Sequence, residues 1–349
     1  MSDNKGQHFA QILAIESHLK VHGALPCNVI LLLEGEEEIG SPHIADFVRV
    51  STEALKADFA VKADGARHAS GAPVIKFGSR GVLSFGLRCR HANGDLHSGN
   101  FGGVVPNPIW TLVHFLGTMK NAEGKITIDG FHDGIEPSSR EELAAIERLP
   151  LDVEVYKQSL GLLRLDAPAA LPFYERLCFR PTLTINGFHG GYGGPGSKTV
   201  LPSEAFVKFD VRLVDAQDPG DILRKVAAHV EKHAPDVELI AMENMPPSKT
   251  PIASPFAAPL RRAFVAAQGQ RKGRSPCLSL RVLVACRAMS SPRYSAFLLS
   301  IRHTRTMMKQ TTRRMKIDHL IASTAGFAQA LHCYMSLARC DLVNLNRLA

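Results

Sequence analysis

Residues 28–43, NVILLLEGEEEIGSPH, join an uninterrupted aliphatic run to a cluster of carboxylates, and that junction constrains the fold more than any other stretch. A short aliphatic run bounded by turn residues reads as a parallel-sheet strand buried on both faces, centred on 30–33. Open parallel sheets place ligands beyond the carboxyl ends of their strands, so Glu36, Glu37 and Glu38 stand where chemistry occurs. The alternative for the same residues is a solvated acidic turn. A second strand-like run, 58–64, also ends in an acid, Asp64, and Asp3 stands ahead of the first helical stretch. Acidic strand or loop ends within one βαβα unit can converge on a metal ion.

The chain can supply the core that such a sheet needs. Its 349 residues are 45% hydrophobic, which suits two domains or one domain carrying a large insertion. No apolar run approaches the roughly 20 residues needed to cross a bilayer, and the polar start lacks the charged-then-apolar layout of a secretory signal. These features predict a cytoplasmic protein with no membrane partner. The 7 cysteines include no C-x-x-C pair, which argues for reduced thiols and against a cysteine-built zinc site.

Taken in order, 8–21 carries Phe9, Ile12, Leu13, Ala14 and Leu19 at helical spacing, with Gly23 and Pro26 to end it. A second helix is predicted over 42–56, with Ile44, Phe47, Val48 and Leu55 facing inward, followed by the strand 58–64. From about Gly78 the pattern changes. Residues 82–89 read as a half-exposed strand, 108–120 as a helix, and 134–157 as two short helical pieces. Then come a strand over 205–213, a helix over 219–233 and a strand over 236–242. Antiparallel strands with helices on one face indicate an inserted α+β domain. The first domain resumes near Pro251 with a helix over 255–268 and ends in an amphipathic helix over 317–339. The fold class is therefore α/β, a mostly parallel sheet domain in two parts, 1–77 and 251–349, interrupted by an α+β insertion over 78–250.

The formal charge of +8 is concentrated in one segment. Between Arg271 and Lys316 there are 12 Lys or Arg and no acid, which leaves 41 − 12 = 29 basic residues against 33 acidic elsewhere, a net of −4. A single-strand nucleic-acid binder would interleave aromatics among these cations, and the segment holds only Tyr294 and Phe297, so no nucleic-acid partner is expected.

The segments SDNKGQ, LLEGEEEIGS, DLHSGNFGGVVPNP, GGYGGPGSKTVLPSEA and FDVRLVDAQDP follow one another over most of 1–268. In that order they resemble the dinuclear zinc metallopeptidases that include carnosinase-type dipeptidases, succinyl-diaminopimelate desuccinylase, acetylornithine deacetylase and carboxypeptidase G. The resemblance implies two zinc ions, with Asp3 as the bridging carboxylate and Glu38 and Asp64 as ligands to one ion each. It implies Glu37 as general base, beside a metal-held neighbour and itself left free to take a proton. The insertion becomes the lid, which also makes a homodimer. In it His97 would stabilise the developing oxyanion and Arg212 would grip the terminal carboxylate of a small peptide or N-acyl amino acid, a task its planar fork suits. A strand-face salt bridge is the plainer reading of Arg212, and a solvated side chain that of Glu36.

The glycine-rich stretch 190–199 invites comparison with the phosphate-binding pattern GxxxxGK[ST]. Ser197 falls between Gly196 and Lys198, and the following Val200-Leu201-Pro202 leads to a strand rather than opening a helix. A nucleotide is therefore not expected. The resemblance instead makes Lys198 and Thr199 substrate contacts in the lid.

Two departures from the family pattern bear on activity. The family's HxD histidine precedes the D-x-K-G motif, yet only two residues precede Asp3 here, so the chain reads as truncated at its start. The family's last zinc histidine lies in a sequence like DEANHAPNE, where this chain has 307–316, MMKQTTRRMK. Read one nucleotide earlier, Met307-Met308 encodes Asp, Met308-Lys309 Glu and Met315-Lys316 Glu. With CGN arginine codons the junctions between them permit Ala-Asn-His-Ala-Pro-Asn. The basic segment, about 269–314, therefore reads as translated out of frame. Asp3, Glu38 and Asp64 alone form an all-oxygen set that suits harder ions better than zinc. Weak zinc binding and impaired hydrolysis follow as expectations, with a non-catalytic dimerising remnant as the alternative.

Overall fold

The computed structural model describes residues 5–62, 74–166, 170–255, 257–258, 260–262, 277–278 and 295–300. Its elements begin with α1 (Lys5–His22), β1 (Val29–Glu34), α2 (Ile44–Val50), β2 (Phe59–Lys62), β3 (Val74–Ile75), β4 (Gly78–Ser79), β5 (Gly81–Arg90) and β6 (Leu96–His97). Helices α3 (Ser98–Phe101), α4 (Pro108–Met119), α5 (Arg140–Glu147), α6 (Val153–Leu160) and α7 (Ala170–Phe179) follow. The remainder comprises β7 (Thr182–Gly190), β8 (Val200–Leu201), β9 (Glu204–Leu213), α8 (Pro219–His233), β10 (Val237–Met245), β11 (Ser248–Lys249), β12 (Cys277–Leu278) and β13 (Ser295–Ser300). The expected helices 255–268 and 317–339 lie largely or wholly outside the described residues.

The chain packs as two units. One takes Met1–Gly78, Arg140–Leu171 and Lys249–Ala349, and the other Ser79–Ser139 and Pro172–Ser248. The sequence suggests an unbroken insertion over 78–250, whereas α5 and α6 group with the first unit. The polar composition of α5 conceals an apolar side, since Ala145 and Ile146 are buried, as is Leu149 just beyond it, whereas α6 buries no residue.

The first unit contains a parallel sheet of order β1-β13-β2, with Leu31 opposite Phe297 and Ala60 opposite Ala296. Its central strand comes from the basic segment. Its sequence, Ser-Ala-Phe-Leu-Leu-Ser, holds an apolar run over 296–299 of the kind that parallel strands carry. β1 is not buried on both faces as expected. Leu32 is 9% exposed but Leu31 and Leu33 are 43% and 49% exposed, the alternation of a strand covered on one side. Helix α2 is shorter than its periodicity suggests and buries no residue, and Phe47, expected inside, is exposed. The Thr52 hydroxyl donates back to the carbonyls of Val48 and Arg49, at 3.1 and 2.9 Å, where the helix gives way to turns.

The second unit contains an antiparallel sheet of order β10-β5-β9-β7. Strand β9 alternates strictly, so Ala205, Val207, Phe209, Val211 and Leu213 are buried while Phe206, Lys208, Asp210 and Arg212 project to the opposite face. Strand β5 lies between β10 and β9, burying Leu83, Phe85, Leu87 and Cys89 and turning Val82, Ser84 and Arg88 to its more exposed face, the half-exposed alternation expected of it. The Phe85 and Phe209 rings stack at 4.6 Å between centroids. Helices α4 and α8 supply the other side of this core through Leu112, Phe115, Met119, Ile222, Val226 and Val230. Each starts on a capped first turn. Asn107 accepts from Ile109 N–H and Asp218 from Asp221 N–H, with a proline in the first turn of each helix.

Candidate active site

The acidic cluster begins where β1 stops. Glu37–Ile39 form a single 3-10 turn, closed by Gly40 and Ser41, both left-handed at φ 83° and 52°. The Glu36 carbonyl accepts from the N–H groups of Ile39 and Ser41, each at 3.0 Å. Its carboxylate meets Nδ1 of His43 at 2.9 Å. Glu36 is thus tied to the loop at both ends, with its side chain still 37% exposed. A non-glycine residue at positive φ beside Glu37 and Glu38 is the kind of local strain that collects at functional sites.

In the second unit the structure brings three of the expected residues together. Leu96 and His97 of β6 pair antiparallel with Leu201 and Val200 of β8, and Ser98 N–H donates to the Thr199 carbonyl at 3.2 Å. His97 therefore lies beside Lys198 and Thr199. The ring of His97 caps α3, with Nδ1 accepting from Gly99 N–H at 2.9 Å. Lys198 Nζ sits 5.9 Å from the centroid of the Tyr192 ring, and the Tyr192 hydroxyl donates to the Pro195 carbonyl at 3.0 Å. No helix follows this loop. Strands β8 and β9 do, as expected for a segment that does not cradle a nucleotide.

Sequence reasoning passed over Asp95, although it stands in the same DLHSG run. One of its oxygens accepts from both the N–H and the hydroxyl of Ser203, at 2.9 and 3.1 Å. The Ser203 backbone and hydroxyl donors, in that order, hold the Asp95 carboxyl below the usual carboxylate range, with Lys198 adding a smaller attraction. The only local signal was an acid two residues before the histidine.

Arg212 is placed apart from this loop cluster, on the outward face of β9 opposite Val82 and Thr182. Its Nε donates to Asp210 at 3.0 Å, the strand-face ion pair that was its plainer reading. That bond uses the inner nitrogen of the guanidinium rather than its terminal pair. Glu37 and Glu38 belong to the first unit and His97, Lys198, Thr199 and Arg212 to the second.

Asp3 and Asp64 lie outside the described residues. Among the described residues no group of three or more His, Cys, Asp or Glu side chains could hold a metal ion. One oxygen of Glu34, at the end of β1, is buried with no hydrogen-bond partner, and the acidic side chains that follow it in sequence are acceptors like itself, with His43 already engaged by Glu36. The described residues alone therefore do not assemble a metal site. No described helix is long and apolar enough to cross a membrane.

One unit carries acids at the end of a parallel-sheet strand, and the other, a four-stranded antiparallel unit, carries an exposed histidine loop, so the chain is an α/β protein of two units. Residues 77–238 match the model of the peptidase dimerisation domain. The chain is 32% identical over 232 residues to the Beta-Ala-His dipeptidase of Rattus norvegicus, covering 66% of this chain and 47% of that protein. It is 31% identical over 233 residues to the Cys-Gly metallodipeptidase dug1 of Schizosaccharomyces pombe, covering 66% and 49%. The chain thus spans about half the length of the curated relatives it matches. The crystal structure of the M20 family metallo-carboxypeptidase Sso-CP2 from Sulfolobus solfataricus superposes with a TM-score of 0.80 at 30% identity, over 95% of this chain and 76% of that one. The chain belongs to the M20 metallopeptidase family.

Proposed function

We propose that this chain is a dipeptidase-like hydrolase that cleaves an amide bond next to a free carboxylate in a small peptide or N-acyl amino acid. The observation that carries the reading is the 3-10 turn setting Glu37 and Glu38 immediately past the carboxyl end of β1. Asp3, Glu38 and Asp64 would hold the metal, two zinc ions by family likeness, which when bound supplies a water acidic enough to attack near neutral pH. Glu37 takes the proton of the attacking water and returns it to the departing nitrogen. His97 donates to the oxygen that becomes anionic, Lys198 and Thr199 line the substrate, and Arg212 receives its carboxylate. The three ligands named are all carboxylates, a set that suits a harder ion better than zinc. The working form is a cytoplasmic homodimer joined through the lid. Neither a nucleic acid nor a membrane is a partner.

The test is metal content and hydrolysis of a dipeptide panel by the full chain and by Glu37→Gln. The variant should keep its metal and lose on the order of 10²-fold or more in kcat. Absence of turnover in the unmodified chain across zinc and manganese titrations would sink the reading. A second reading, a dimerising protein without turnover, is favoured by 307–316, where lysine and arginine replace the histidine-bearing stretch of the family pattern. A stable dimer with neither metal uptake nor turnover would establish it.

A further inference from the structure

The loop that presents His97 is gathered round one distant residue. The Ser203 carbonyl accepts from the N–H groups of His91 and Ala92, at 3.0 and 3.4 Å. The N–H and hydroxyl of the same serine both donate to one oxygen of Asp95, at 2.9 and 3.1 Å. Ser203 immediately precedes β9, whose register against β5 pairs Glu204 with Arg90. The turn 91–95 is therefore tied at three points to the rigid four-stranded sheet. Two residues beyond Asp95, His97 enters its pairing with Val200.

The state of the ring follows from its partner. Gly99 N–H is a backbone donor and nothing else, so the nitrogen that accepts it, Nδ1 of His97, carries no proton. The neutral ring must then bear its hydrogen on Nε2. The two devices act in series: the Asp95–Ser203 tie holds the backbone of the turn, and that backbone brings the Gly99 donor to the ring. Neither device is required by the packed core, since Asp95 and His97 are both exposed.

We propose that Asp95, acting through Ser203, is a positioning residue that holds His97 as a fixed Nε2–H donor aimed at the anionic oxygen of an amide under attack. This rests on the oxyanion reading of His97. A donor already oriented has no rotor to freeze as charge develops, which is the advantage of a prearranged oxyanion site. Asp95 touches neither substrate nor reacting atoms and works only through the placement of the ring. Serine 203 shares that role, with its hydroxyl supplying the second of the two bonds to the carboxylate.

Two measurements on the full-length protein test it. In imidazole ¹H–¹⁵N correlation spectra, with His97 assigned by its loss in His97→Ala, the unmodified chain should show a bare Nδ1 and a protonated Nε2. Asp95→Ala should replace this by averaged tautomers, and Asp95→Asn, whose amide oxygen still accepts both Ser203 bonds, should preserve it. In dipeptide hydrolysis, Asp95→Ala should lower kcat on the order of a hundredfold with KM within about twofold, as expected of a reacting group misplaced by about 1 Å. Asp95→Asn should recover most of the rate. In a His97→Ala background the same Asp95→Ala change should lower kcat less than about twofold, because its effect travels through the ring. Equal losses in both backgrounds, or an unchanged ring spectrum in Asp95→Ala, would overturn the proposal. Should Asp95→Ala not fold, Ser203→Ala removes only one hydroxyl and carries the same expectations at smaller size. If the unmodified chain turns over no dipeptide, the oxyanion reading falls, and the spectra still decide whether Asp95 fixes the ring.

Discussion

The Thr118 hydroxyl donates to the Phe115 carbonyl at 2.7 Å, so its 2.9 Å contact with Nε2 of His229 must be accepted, which makes that nitrogen the donor. His229 is 5% exposed, and its other nitrogen, Nδ1, is buried without a hydrogen-bond partner. A second proton would therefore go onto a buried site with nothing to receive it. Burial first, and the nearby His233 second, push the His229 pKa below its ordinary 6.5, with Asp129 opposing.

The sign of the resulting pH dependence is fixed. Between the lowered folded pKa and 6.5 the unfolded chain binds more protons than the folded one, so stability rises with pH across that window. The contribution is fully present above 6.5 and is lost as pH falls toward the folded value. Urea midpoints of the unmodified chain should drop between pH 7 and pH 5.5, and His229→Leu should flatten the drop. Parallel slopes in the two proteins would remove His229 as the cause.

The stacked pair Phe85 and Phe209 stands at the centre of the second unit's core, 0% and 2% exposed. Phe209→Ala deletes a ring between two interior strands that have no freedom to close the gap. The expected cost is about 3–5 kcal/mol, read as a shift in the unfolding of that unit. A change below about 1 kcal/mol would mean that the ring is not packed as described.

Two glycines should respond in opposite directions. A Cβ on Gly81 would lie 2.7 Å from the Met245 carbonyl oxygen and 2.7 Å from the Pro247 nitrogen, both backbone atoms that cannot swing aside. Gly81→Ala should destabilise by about 1–3 kcal/mol through forced separation of the strands. Gly117 sits inside α4 with nothing within 4 Å of the same position. Gly117→Ala should stabilise by about 0.5–1 kcal/mol, since alanine loses less backbone freedom in a helix. Thermal unfolding of both variants against the parent tests the pair.

What could be read in advance divides along the range of the interactions. The end of β1, the turn bearing Glu37 and Glu38, and the alternation of β9 are carried by side chains a few residues apart, so local pattern reveals them. Strand pairing is a different matter. β13 reaches the middle of the first sheet from more than two hundred residues beyond both β1 and β2, inside a segment whose charge suggested a reading-frame error. The exposed face of β1 depends on what covers it, which an aliphatic run does not specify. Asp95 meets Ser203 across 108 positions, and nothing around Asp95 marks it as more than a polar turn residue. The Glu36–His43 contact needs Gly40 and Ser41 both left-handed, and serine gives little warning of that conformation.

Arg212 offers the sharpest functional test because Asp210 already occupies one nitrogen. With Nε bonded to Asp210 at 3.0 Å, the guanidinium plane is held and the two terminal nitrogens remain as a fork of the shape a carboxylate requires. Lysine would keep the charge but present a point rather than a fork, and it would lose the tie to Asp210. For a dipeptide with a free carboxylate, Arg212→Lys should raise KM about tenfold or more, about 1.4 kcal/mol of lost binding. The same dipeptide capped as its carboxamide should bind the parent and the variant alike. Asp210→Ala, which frees the guanidinium without removing it, should fall between the two on the carboxylate substrate. Equal losses on the acid and the amide would show that Arg212 supports the strand face rather than the substrate.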